Sequence, residues 1–79
     1  MIFIVNIFKE DDYMSVVKVI EVLAESKDGW EAATKVAVKE AAKTVKNIKS
    51  VYVKDMQALV EGDEVINYRV NVKISFKVE

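Results

Sequence analysis

Four carboxylates gather toward the end of this chain: Asp55, then Glu61, Asp63 and Glu64 around Gly62. Oxygen donors in such a cluster suit a hard cation such as calcium. Their spacing is not that of a helix–loop–helix calcium loop, so a solvated charged turn is the simpler expectation. Lys35, Lys39 and Lys43 recur every four residues and could touch phosphates, but a wet helix face explains them as well. Tyr52, Tyr68 and Phe76 do not fall in the pattern of an RNA-stacking platform. With 12 basic and 13 acidic residues and a net charge of −1, no strong field draws the chain to nucleic acid or anionic lipid. The chain has no His and no Cys. That removes the commonest general base and metal ligand, along with thiolate nucleophiles and disulfides. Its two glycines, Gly29 and Gly62, lie in no phosphate-cradling loop. No residue offers itself for catalysis.

The elements that must carry these residues are clearer. "VINYRVNVKISFKV" alternates strictly. Ile66, Tyr68, Val70, Val72, Ile74, Phe76 and Val78 line one side of a strand; Asn67, Arg69, Asn71, Lys73, Ser75 and Lys77 line the other. "SVYVKDMQALV" precedes it across Glu61–Gly62–Asp63–Glu64, a hairpin signal. Earlier, "VVKVIEVLA" (Val16 to Ala24) reads as a strand that is apolar on both faces and so wants cover on both. Between them, Trp30, Ala33, Ala37, Ala41, Val45 and Ile48 form one apolar helical stripe. Ser26 or Asp28 is the expected N-cap, and Asp28 with Glu31 fits a capping box. The fold class expected is α+β, in the order β-α-β-β. A three-stranded antiparallel sheet wraps around one helix, with the last strand between the other two.

A chain of 79 residues is one small domain, and such chains bury only about 60% of their unfolded surface. Without disulfides, association with further copies becomes the favoured means of stabilisation. "MIFIVNIFKEDDY" looks separate. It lacks the basic start and cleavage site of a signal peptide and is too short to span a bilayer. Residues 1–13 are expected to be an extension, either an upstream start-site or cloning artefact or an extra strand packing on a neighbouring subunit. The domain proper is expected over residues 14–79.

Taken together, "VVKVIEVLAESKDGWEAATKVAVKEAAKTVKNI" and "INYRVNVKISFKV" resemble the dodecin family, over roughly Met14 to Glu79. The pattern is a short strand ending in Ser, a capped Ala-rich helix, an Asn-Ile exit and a Tyr-led last strand. The resemblance implies a cytoplasmic, non-enzymatic homododecamer forming a hollow shell. Its best-known members bind flavins in pairs between subunits and store them. It also implies that the sheet face turned away from the helix makes subunit contacts and lines ligand pockets. At the position where flavin binders place a stacking Trp, counting from Asn47 and Ile48, this chain has Ser50. Where they place a ring-binding Gln, it has Arg69. Trp30, on the core-facing stripe, is not expected to substitute.

Ser50 and Arg69 are therefore the expected cofactor-binding positions of a small-ligand storage protein that is not a tight flavin binder. Loss of the stack and of a shape-matched amide should cost several powers of ten in affinity. Arginine's forked donors suit a phosphate or carboxylate, or an acidic residue of a neighbouring subunit. The row "YRVNVKISFKV" resembles a flavin-poor branch that includes a calcium dodecin. A calcium or hard-cation buffering assembly is thus the alternative, with no metal ligands assigned, and a purely structural shell is a third reading. Partners are expected to be copies of itself and a small molecule, with no nucleic acid and no membrane.

Overall fold

The computed structural model describes residues 2–9 and 12–78, with side chains from Val16 to Val78. Four strands and one helix follow in the order β1 (Ile2–Lys9), β2 (Asp12–Ser26), α1 (Trp30–Ala41), β3 (Ile48–Glu61) and β4 (Glu64–Val78). The sheet is antiparallel, ordered β1-β2-β4-β3. β4 therefore lies between β2 and β3, as the directions of travel require. β2 pairs with β4 in unbroken register from Val16↔Val78 to Ser26↔Tyr68. The β3 ladder slips three times, near Ile48, Val53 and Leu59, and each extra residue sharpens the twist that curls a sheet around a helix. Gly62 turns the hairpin with φ 65, a value that a two-residue loop demands at its first position and glycine supplies without strain.

The helix rests on the face carrying Ile20, Val22 and Ala24 of β2, Val70, Val72 and Ile74 of β4, and Val51 and Val53 of β3. Ala33 and Ala37 are wholly buried and Ala41 nearly so. Their small side chains let the helix backbone come close to the sheet. The alanine stripe was thus read correctly, but it overran the helix. α1 stops at Ala41, and tight-turn bonds from Lys43 to Glu40 and from Thr44 to Ala41 close its last turn. Asn47 then takes φ 63, a left-handed conformation that asparagine tolerates. Ile48, expected on the helix, opens β3. The N-cap also differs from expectation: it is Gly29, at φ 120, with no side-chain cap. The Ser26 hydroxyl accepts the amide of Asp28 instead, shaping the turn before the helix.

Two further features lie outside the expected three-stranded plan. β1 pairs antiparallel with β2 of its own chain, from Ile2↔Lys18 to Asn6↔Met14. The early strand, expected over Val16–Ala24, runs from Asp12 to Ser26. The chain is also drawn out. Its Cα radius of gyration is 15.7 Å and its longest dimension 58 Å, whereas a compact domain of this length has a radius of gyration near ~12 Å. One 12-residue helix, about 18 Å long, cannot cover such a sheet.

Candidate functional site

The polar row of β4 occupies the face away from the helix, and the sheet register gives each of its residues two neighbours. Arg69 lies between Glu25 and Gln57, Asn71 between Leu23 and Asp55, Lys73 between Glu21 and Tyr52, and Ser75 between Val19 and Ser50. Alternation placed these side chains outward. The central position of β4 then brought carboxylates of β2 opposite bases of β4, the favourable arrangement for directly facing strand residues.

Arg69 is engaged within its own chain. Its Nε donates to Glu25 Oε2 at 2.8 Å, and its Nη2 lies 2.7 Å from the same oxygen. Asn67 Nδ2 donates to Glu25 Oε1 at 2.9 Å. Both carboxylate oxygens of Glu25 are thus taken, and the guanidinium is held in place while remaining about a third exposed. Further along, the side-chain hydrogen bond from Asn71 holds the Glu21 carboxyl below its ordinary range, helped by the ammonium groups of Lys54, at 3.4 Å, and Lys73. Ser50 and Ser75 share a hydroxyl–hydroxyl hydrogen bond.

A cleft of about 290 Å³ opens between these two clusters, lined by Leu23, Asp55, Met56, Gln57 and Asn71. Asn71 Oδ1 is buried and has no hydrogen-bond partner. An acceptor shut away from water without a donor is costly, and a bridging water, a neighbouring chain or a ligand can each supply one. Beside it Leu23 exposes 66% of its surface and Tyr52 65%. The face therefore combines held charges, an unsatisfied acceptor and uncovered apolar groups.

The two expected binding positions do not meet. Ser50 pairs with Ser75 and Arg69 with Gln57, so six residues of β4, about 20 Å of strand, separate them. A pocket using both needs surfaces from more than one chain. Sequence reasoning missed Glu21, Glu25 and Leu23, and placed Asn71 only as one member of the outward row. The signal was present, since Glu21 and Glu25 fall on the odd face of β2, but it required the register against Lys73 and Arg69. Trp30 also departs from expectation. It lies at the edge of the core, 40% exposed. Its ring stacks on Tyr68 at 5.0 Å between centroids, and Nε1 donates to the Gln57 carbonyl at 2.9 Å. Among the described residues no three carboxylates converge as a metal site, and no helix is long and apolar enough to cross a membrane.

The fold and this surface define a small α+β subunit whose antiparallel sheet curls around one helix and leaves its far face half-clothed. Comparison with known proteins gives the subunit its family. A sequence profile described as Dodecin matches residues 16–79, and the chain belongs to the dodecin family. The calcium dodecin of Mycobacterium tuberculosis (strain ATCC 25618 / H37Rv) is 35% identical over 65 residues, covering 82% of this chain and 92% of that protein. Among solved structures, a point mutant of the Thermus thermophilus dodecin superposes with a TM-score of 0.77 at 29% identity, over 82% of this chain and 97% of that one. The dodecin from Streptomyces coelicolor gives 0.78 at 28%, over 82% and 93%. None of these descriptions names an enzymatic activity.

Proposed function

We propose that this chain is a cytoplasmic, non-enzymatic dodecin-like homododecamer that binds and stores a small ligand between subunits, with residues 14–79 as the dodecin-like domain and 1–13 as an extension. The observation that carries this reading is the outer sheet face, where the buried, donorless Asn71 Oδ1 lies beside exposed Leu23 and Tyr52. Such a surface suits cover by a neighbour and a ligand. The drawn-out shape of the single chain supports the same conclusion. The ligand is anionic or weakly bound flavin: Ser50 offers no stacking ring, and Arg69 presents a cation where a neutral ring edge would want an amide.

Light scattering tests the assembly. A particle near 108 kDa, twelve times the 9.0 kDa chain, is expected; a stable folded species at the mass of one chain would overturn the reading. Flavin titration tests the site. Ser50→Trp with Arg69→Gln should raise flavin affinity at least about tenfold. Ser50 is exposed on the outer face, so the indole can be accommodated without disturbing the core. Unchanged affinity would remove both residues from the pocket.

The kinship with a protein named calcium dodecin favours a second reading, a hard-cation buffering assembly. Since no three carboxylates converge among the described residues, its ligands would come from more than one copy. A melting temperature raised by calcium and lowered by chelator would select it. Indifference to both flavin and calcium would leave a structural shell.

A further inference from the structure

The β3–β4 hairpin extends well past the helix, and its free end has a distinct chemistry. Val60, Val65 and Ile66 expose 61%, 52% and 46% of their surface there. Glu61, Asp63 and Glu64 add three carboxylates at the turn, and none of them enters an ion pair among the described residues. Elsewhere on the molecule a groove of about 450 Å³ opens between α1 and β3, lined by Thr34, Val38, Val51, Lys35 and Lys39. Lys39 has no carboxylate partner among the described residues. Lys35 has only Glu31, 3.5 Å away on an exposed helix face, an attachment of the kind that contributes little. One surface is apolar and anionic, the other apolar and cationic.

We propose that the acidic, aliphatic tip of one copy seats in the lysine-flanked α1–β3 groove of a second copy. This rests on the self-association reading above and specifies which surfaces mate. A chain cannot fill its own groove: Val51 and Val60 stand nine residues apart on β3, about 30 Å of extended strand. Charge complementarity selects the occupant, because the carboxylates come within reach of Lys35 and Lys39 as the valine and isoleucine side chains meet Thr34, Val38 and Val51. Tip and groove are different patches, so the contact is head-to-tail. Each chain gives one tip and receives one, and such contacts end only by closing into a ring.

The absence of cysteine makes a direct test available. Chains carrying Lys39→Cys and chains carrying Glu64→Cys are mixed under a short thiol cross-linker. A cross-linked pair is expected in the mixture and not in either chain alone. In parallel, Glu61→Lys with Asp63→Lys and Glu64→Lys should raise the dissociation concentration at least about tenfold, as should Lys35→Glu with Lys39→Glu. All five changes in one chain should restore association. All five sites are exposed, and circular dichroism checks that each variant folds. A multi-chain particle that neither cross-links nor responds to charge reversal overturns the tip-in-groove contact and leaves self-association standing. A wild-type chain found at single-chain mass overturns the association reading itself.

Discussion

The two halves of the β3–β4 hairpin are made of the same kinds of residue and meet opposite surroundings. Near the helix, Val70, Val72 and Ile74 of β4 are wholly shielded, with Val51 and Val53 of β3 packed against the same cluster. Beyond Tyr68, where Trp30 stacks and the helix begins, Val60, Val65 and Ile66 lie open. Composition and alternation do not distinguish the halves. The reach of a 12-residue helix does. Hydrophobic stabilisation follows area removed from water, so the covered half folds the chain and the open half contributes little to its stability.

That contrast can be broken at its strongest point first. Ile74→Ala removes a fully buried side chain beneath the helix and should cost about 2–5 kcal/mol, read by chemical denaturation. A loss below about 1 kcal/mol would mean that the core is not where the helix meets β4. Next is Ala37→Leu, which forces a larger side chain between helix and sheet at a position with no exposure. It should destabilise by about 1–3 kcal/mol and lower the melting temperature. An unchanged melting temperature would mean that the helix does not sit closely on the sheet.

Val60→Ser makes a comparable change in the open half. At concentrations where the chain is dissociated, its stability should move by no more than about 0.5 kcal/mol. A larger loss there would show that the tip is covered within one chain and erase the distinction. The smallest effect is electrostatic. Hydrogen bonding from Asn71 and the nearby Lys54 and Lys73 charges lower the Glu21 pKa from its ordinary 4.5. The unfolded chain therefore holds this proton more tightly. The associated stability is present above about pH 4.5 and fades as the pH falls through the lowered value. Glu21→Gln should flatten the acid limb of the stability profile slightly; an unaltered limb would show that Asn71 and the lysines do not hold this carboxylate.

Arg69 shows why the candidate site was harder to read than the fold. Its outward direction followed from alternation alone, since successive strand side chains point to opposite faces. Its partner did not, because Glu25 is 44 positions away in the chain and meets it only through the β2–β4 register. The same holds for Asn71 and Glu21. Likewise, the alanine stripe located the helix but not its end, since Val45 and Ile48 keep the apolar spacing although the helix has stopped at Ala41 and the backbone turns out at Asn47.

Local periodicity and turn chemistry thus determined, from the sequence by itself, the β-α-β-β order, the outward polar row, the buried alanines and the hairpin at Gly62. Strand directions added β4 as the central strand. Only the tertiary structure decided that β1 pairs with β2, that Gly29 begins the helix, that Trp30 stacks on Tyr68 at the core's edge, and that Ser50 and Arg69 lie about 20 Å apart. The physical reason is range. Side-chain direction is set by neighbours a few residues away, whereas register, coverage and charge pairing depend on where distant segments come to rest.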